Sequence, residues 1–476
     1  MSNAKIVARN IALQTVSILI SIILSLFISA MITRYLGDVN FGVYSIAIGL
    51  ATLIAFSSEM TLTQTANVEI SRNRKNTKLL FSNILFLKII LAFIGFFIML
   101  IASKLLGYSS DFFVILIFIG IYIYSNSFRQ FFFAVIRAFE KFEFEAAMIV
   151  IDKILTLAIV IITMYFKFSL LVFSQILMIT SVVLSIVSYF YIKKVYNIFF
   201  CFEKFSKKNL IIVIKTATAY CLWNICAYVH MQSGPIILSK IGSMQMVGWF
   251  NSANQLFVQL FFICTIVFNS LLPTMARFSK NNSSLLNFTY NLGMKYLFLL
   301  SLPIAAATTL LANKIILLLY GEQFFNAGGV LAVLVWAIIP YYLVCGCGNL
   351  ILATGNAKMG SLLYLITAVI SVPIYFAMIN VYGYIGLAYG MIITIILLLT
   401  LLFILVDRKG YKIGPVMPYL KGIVSTIIMY YCLTFVSQKA LYISIPIGFF
   451  AYMIPLVFIF KVFSKEEKDI MRSLLK

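Results

Sequence analysis

The chain has 476 residues, of which 63% are hydrophobic and 11% are charged, against about 45–50% and about 25% in soluble domains. A chain of this composition is not soluble in water, and its apolar residues suffice for about fourteen bilayer-spanning helices. The net charge of +22 does not indicate nucleic acid binding, because the Lys and Arg residues lie in short breaks between apolar runs.

Fourteen apolar runs, each long enough to cross a bilayer, follow one another along the chain. They lie at 11–33, 41–61, 83–103, 112–136, 146–166, 169–192, 210–238, 246–272, 294–312, 327–350, 360–380, 385–406, 419–437 and 443–461. The loops on the side of the two termini carry far more Lys and Arg than the opposite loops. By the positive-inside rule, we predict a multi-pass protein of the cell membrane with both termini in the cytoplasm.

Two segments about 205 residues apart share a pattern that indicates an internal repeat. Arg34-Tyr-Leu-Gly37 followed by Gly42 corresponds to Lys240-Ile-Gly242 followed by Gly248. Six spans separate the copies, so both halves enter the membrane in the same direction. We predict an all-α fold with two pseudo-symmetric six-helix lobes and two additional C-terminal helices. The predicted divisions are an N-terminal lobe 1–195, a cytoplasmic linker 196–209, a C-terminal lobe 210–406, and two extra helices with a cytoplasmic tail, 407–476.

The glycines of this repeat are predicted to be hinges. Glycine tolerates backbone conformations that other residues avoid. Gly37 with Gly42, and Gly242 with Gly248, therefore allow the chain to turn between successive spans.

Few residues suit catalysis or metal binding. The chain has one histidine, His230, its cysteines show no C-x-x-C spacing, and no phosphate-binding loop of the ATPase type occurs. The long connections between predicted spans, which include 62–82 and 193–209, lie on the cytoplasmic side, and the loops on the external side are shorter. We therefore expect neither an enzyme nor a resident metal or cofactor.

Ionisable residues within spans are costly in lipid and usually face a cavity or a partner. Those of this chain are Glu59, Lys88, Arg129, Asp152, Lys153, Lys215 and Lys295. Their net charge favours an anionic cargo, and Arg129, Lys88 and Lys215 are candidates to bind it. Two alternatives stay open: lysines that snorkel to the inner headgroups, and an ion pair of Arg129 with Glu59. Glu59, Asp152 and His230 are candidates for ion coupling.

Polar side chains in the seventh and eighth spans add further candidates. Asn224 and Gln255 suit sugar hydroxyls, although hydrogen bonds between helices would also explain them. Arg34, at the end of the first span, completes the predicted substrate-binding set.

Four motifs in order along the chain resemble one family of transporters. They are Arg34-Tyr-Leu-Gly37 with Phe41-Gly42-Val-Tyr44-Ser45, Leu319-Tyr320-Gly321 with Phe324 and Ala327, Ala353-Thr-Gly355-Asn-Ala-Lys358, and Tyr382-Gly383-Tyr-Ile385-Gly386-Leu-Ala388. The chain resembles the polysaccharide or O-antigen type flippases of the multidrug/oligosaccharidyl-lipid/polysaccharide exporter superfamily. Where members often carry an acidic residue on the seventh span, this sequence has His230-Met-Gln232-Ser233.

The resemblance implies a flippase that moves an undecaprenyl-diphosphate-linked oligosaccharide from the cytoplasmic to the outer leaflet by alternating access. It further implies a role in the biosynthesis of cell-surface polysaccharide, such as the O-antigen of lipopolysaccharide. The implied partners are membrane lipids, a polysaccharide polymerase and glycosyltransferases. A cation-coupled multidrug exporter of the same fold is the alternative.

Overall fold

A computed structural model describes residues 3–72, 74–201, 225–281, 283–412 and 414–462. This part of the chain is helical and contains no strand. Eleven of its helices are long and apolar enough to cross a membrane. The expected all-α polytopic membrane fold is confirmed.

The helices follow the apolar runs of the sequence. Their bounds are α1 Asn3–Arg72, α2 Thr77–Leu105, α3 Ser110–Ala138, α4 Glu143–Tyr165, α5 Leu170–Tyr196, α6 225–241, α7 Met244–Gln259, α8 Phe261–Asn281, α9 Ser283–Tyr320, α10 Ala327–Leu334, α11 Ile338–Ala353, α12 Ala357–Arg408, α13 Met417–Val436 and α14 Leu441–Ile454. Most of the predicted seventh span, 210–238, lies outside the described residues.

Two helices each contain two predicted spans, and a glycine bends each of them. Gly37 in α1 has φ 70° and Gly383 in α12 has φ 61°. A side chain at such a backbone conformation would crowd the following carbonyl, which is why glycine occurs there. The second copy of the repeat also marks an interruption, because α6 ends at 241 and α7 begins at Met244.

The chain divides into two compact units, Met1–Gly248 and Trp249–Lys476. In the first, Phe81, Phe131 and Ile192 join α2, α3 and α5 in one apolar core. In the second, Leu299, Met429 and Tyr452 join α9, α13 and α14. The pseudo-symmetric lobes, with the divisions given above, stay a prediction.

Two repeat glycines lie where helices of the first unit approach each other closely. A Cβ atom on Gly42 would overlap the carbonyl oxygen of Met244, and one on Gly248 would overlap that of Asp38. The Asp38 carboxylate also accepts a hydrogen bond of 2.7 Å from Gln245 Nε2. Gly42 and Gly248 thus allow the start of α7 to pack directly on the bend of α1.

We expect Gly42→Ala to destabilise the protein by about 1–3 kcal/mol, because its methyl group meets backbone and not a movable side chain. The melting temperature of the purified protein in detergent measures this. Gly329→Ala is the matched control, since a Cβ there meets only Ile385 Cδ1, at an ordinary 3.5 Å. Equal melting temperatures for the two variants would contradict the close packing.

Candidate functional site

Three helices of the first unit carry ionisable residues at similar depth. Lys88 lies eleven residues after the start of α2, Arg129 nine before the end of α3, and Asp152 nine after the start of α4. At 1.5 Å per residue, each lies about 14–17 Å from the adjoining helix end. This depth is within the hydrocarbon, where a charge needs a partner.

Arg129 is paired across the interface between α3 and α4. Its Nη1 donates to Asp152 Oδ1 at 2.9 Å, and its Nη2 donates to Asn126 Oδ1 at 2.6 Å. The Arg129 side chain is 4% exposed and that of Asp152 is 21% exposed. The sequence left open an ion pair of Arg129 with Glu59, whose side chain lies outside the described part of the structure. The described ion pair of Arg129 is with Asp152.

Lys88 is fully buried beside the same turn of α3. Its ammonium donates to Ser127 Oγ at 2.7 Å, and Nζ lies 5.2 Å from the centre of the Phe128 ring. A hydroxyl and an aromatic face both stabilise a desolvated cation. One stretch of α3 therefore provides partners for the ionisable residues of both α2 and α4.

A cavity of about 400 Å³ adjoins this stretch. The polar residues that line it belong to α1 and α3. Among the described residues they are Thr63, Gln64, Asn126, Ser127, Gln130 and Arg137. Asn126 and Ser127 accept hydrogen bonds from Arg129 and Lys88, respectively, so the cavity wall includes a partner of each buried cation. Sequence reasoning missed Thr63, Gln64 and Gln130, because single polar residues near span ends do not reveal which way they face.

Arg137 is the cation of the described cavity lining and has its own partner. Its Nη1 donates to Glu145 Oε1 at 2.7 Å, from the end of α3 to the start of α4. The sequence analysis placed both residues outside the spans. One feature of the sequence could have indicated this ion pair. The two residues are eight positions apart on either side of a short turn, and such a turn brings adjacent helix ends together.

The structure does not bring all predicted candidates to this cavity. Arg34 is exposed before the bend of α1 and precedes Ala55, a cavity residue, by 21 positions, or about 32 Å of helix. His230 is buried in α6 of the first unit. Gln255 is half-buried on α7 in the second unit, and its buried Oε1 has no hydrogen-bond partner among the described residues. Lys215 and Asn224 lie outside the described residues.

The hinge candidates differ in backbone conformation. Gly37 has a positive φ, whereas Gly42 and Gly248 serve close packing. Gly242 lies in the break between α6 and α7.

A further polar cluster joins the loop between α2 and α3 to the end of α6. Lys240 Nζ lies 3.2 Å from the centre of the Tyr108 ring, and Tyr108 shares a hydrogen bond of 2.6 Å with Ser239. Burial raises the pKa of Tyr108 and lowers that of Lys240. At neutral pH the phenol therefore stays protonated.

The cavity places several polar side chains on a wall that also contains apolar residues such as Ala55 and Ile123. Amides, hydroxyls and Arg137 suit the oxygens of phosphate groups and sugars. Among the described side chains, no group of three or more His, Cys, Asp or Glu is placed to hold a metal ion.

Comparison with known proteins agrees with this architecture. The sequence profile described as polysaccharide biosynthesis protein matches residues 7–279, more than half of the chain. The chain belongs to this family. A comparison with curated proteins gives no match.

Solved structures share the fold at low sequence identity. An inward closed conformation of the lipid II flippase MurJ has a TM-score of 0.74 and 16% identity, with 94% of this chain and 98% of that chain covered. An inward-facing multidrug resistance MATE family transporter of the MOP superfamily has a TM-score of 0.65 and 15% identity, with 81% and 94% covered. The family member described here therefore has the fold of MOP superfamily transporters.

We expect Asp152→Ala to destabilise the protein by about 3–5 kcal/mol, because it leaves the Arg129 guanidinium buried without its carboxylate. Thermal unfolding in detergent measures the loss. Glu140→Gln is the control, since it alters the exposed pair of Glu140 with Arg74, and exposed pairs contribute about 0–1 kcal/mol. Equal effects of the two substitutions would contradict a structural role for the buried pair.

Proposed function

We propose that this protein is a flippase that moves a lipid-linked oligosaccharide of the undecaprenyl-diphosphate type from the cytoplasmic to the outer leaflet. The observation that carries the proposal is the cavity between α1 and α3, whose wall carries amides, hydroxyls and Arg137. Membership of the polysaccharide biosynthesis family and the MurJ-like fold support it. The product would serve cell-surface polysaccharide synthesis beside glycosyltransferases and a polymerase.

The physical task explains why such a cavity is needed. A diphosphate and a chain of sugar hydroxyls cannot cross about 30 Å of hydrocarbon unaided. A wall of amides and hydroxyls replaces part of their hydration, and a cation compensates the phosphate charge. No chemical bond changes in this process, so the proposed protein is a transporter and not an enzyme.

The alternating-access part of the proposal uses the repeat glycines as hinges. Gly37 and Gly242 lie at interruptions between successive helices, and Gly42 and Gly248 allow close packing beside them. Rotation about these positions would open the cavity to one leaflet at a time.

A cation-coupled multidrug exporter is the second candidate, and the multidrug transporters of the same fold favour it. Such an exporter uses carboxylates deep in the bilayer. In the described cluster, each of the carboxylates Asp152 and Glu145 is paired with an arginine. Lys88, which is hydrogen-bonded to the neutral hydroxyl of Ser127, gives these described residues a net positive charge, which favours the anionic cargo.

We expect Gln130→Glu to reduce glycan export about tenfold or more, because the added carboxylate in the cavity wall would repel the cargo phosphates. Surface polysaccharide in a deletion strain that carries the variant measures export. Gln130→Asn should retain export, since it keeps the amide.

Gln323→Glu controls for the added charge alone, because Gln323 is exposed and lies in the second unit. Membrane levels of all three variants must be equal for the comparison. Full export by Gln130→Glu at normal levels would rule out the cavity as the path of an anionic headgroup.

The direction of transport leads to an electrical prediction. A diphosphate with about two negative charges moves outward from a negative interior, which yields about 4–5 kcal/mol at 100 mV if no cation accompanies it. We expect a valinomycin-set negative interior to accelerate export of the lipid-linked glycan from reconstituted vesicles. Insensitivity to potential, together with dependence on a proton or sodium gradient, would move the coupling to Glu59, Asp152 or His230.

A further inference from the structure

A second cavity, of about 430 Å³, lies within the second unit between the start of α9, the start of α13 and the chain that follows α14. This volume is within the range of about 300–1,000 Å³ for small-molecule sites. Two lysines, Lys295 and Lys461, line it together with Asn291 and Tyr419. The described lining includes no Asp or Glu.

The depth of this cavity follows from the ends of three predicted spans. Lys295 lies at the start of the span 294–312, Tyr419 at the start of 419–437, and Lys461 at the end of 443–461. All three ends lie on the side that the Lys and Arg distribution predicts to be cytoplasmic. The cavity therefore lies where hydrocarbon gives way to the headgroups of the inner leaflet.

The backbone around Lys461 is held by two other lysines. Lys421 Nζ donates to the Phe460 carbonyl at 2.9 Å, and Lys295 Nζ donates to the Val462 carbonyl at 2.9 Å. These bonds attach the chain on either side of Lys461 to α13 and α9. They position the exposed Lys461 side chain at the cavity and bring a second cation, Lys295, to its wall.

Asn291 fixes the opposite wall. Its Oδ1 accepts a hydrogen bond of 2.7 Å from the Gly414 backbone N–H, and its Nδ2 donates to the Lys412 carbonyl at 3.0 Å. The loop between α12 and α13 is thereby tied to α9. The cavity is thus enclosed by anchored segments on both sides.

The surface beside the cavity is apolar and exposed. Val416, Met417 and Leu420 are 64%, 60% and 52% exposed at the start of α13, and Phe288 is 45% exposed on α9. In a membrane protein such a surface contacts acyl chains. A ligand that is anionic at one end and apolar at the other would match both the lysines of the cavity and the apolar surface beside it.

We propose that this cavity binds the phosphate headgroup of an anionic phospholipid from the cytoplasmic leaflet, with Lys461 and Lys295 as its cationic contacts. Basic pockets between transmembrane helices on the cytoplasmic side suit anionic headgroups, because the inner leaflet is rich in them. The bound lipid would hold α9, α13 and the segment after α14 together. The inference depends on the predicted orientation and is independent of the transported cargo.

Native mass spectrometry of the full chain tests the proposal. The protein is released from nanodiscs of phosphatidylcholine that contain a minor fraction of phosphatidylglycerol, and the retained lipids are counted. We expect preferential retention of phosphatidylglycerol, about a tenfold weaker affinity in Lys461→Ala, no preference in Lys461→Glu and full preference in Lys461→Arg.

Lys439→Ala is the matched control, because Lys439 is also exposed and follows α13 at its opposite end. It should retain phosphatidylglycerol as the unmodified protein does, and all variants should share its melting temperature. Equal retention by all Lys461 variants, or no preference over phosphatidylcholine, would overturn the proposal. Displacement of the lipid by millimolar inorganic phosphate would also overturn it, since the site would then bind a soluble ion.

Discussion

The ion pair between Arg129 and Asp152 is the interaction on which the interior of the first unit depends. Hydrocarbon offers no water to a guanidinium, so Arg129 requires a carboxylate and a further acceptor at its own depth. Asp152 on α4 and Asn126 on α3 supply them. This requirement couples α3 to α4 at a set height, and the contact of Lys88 with Ser127 couples α2 to the next residue of α3.

Charge pairing also determines what the neighbouring cavity presents. Because Arg129 and Lys88 contact side chains of α3, the described polar lining consists mainly of amides and hydroxyls, with Arg137 as its cation. Such a lining provides many moderate hydrogen bonds to a cargo in place of a few strong ones. For the flippase proposed above, release at the opposite leaflet would require this balance, since a cargo bound too tightly would not leave.

The expectations that succeeded rested on local rules. Apolar run length located the helices, since each span must satisfy its own backbone hydrogen bonds. The contacts within the candidate site could not be predicted from the sequence to the same extent. In-span charge identified Arg129 and Asp152 separately, but their pairing depends on how α3 and α4 rotate about their axes, which nearby sequence does not encode.

Composition, run length and the distribution of Lys and Arg thus determined a polytopic helical protein and its predicted orientation, because lipid imposes the same constraint on every span independently. Only the tertiary structure decided that Gln64 and Gln130 share a cavity wall and that Arg137 meets Glu145. It also decided that Lys295 and Lys461 line one cavity although 166 residues separate them. The physical reason is that such contacts arise from the packing of helices distant in sequence, whereas hydropathy reports only how each segment interacts with lipid.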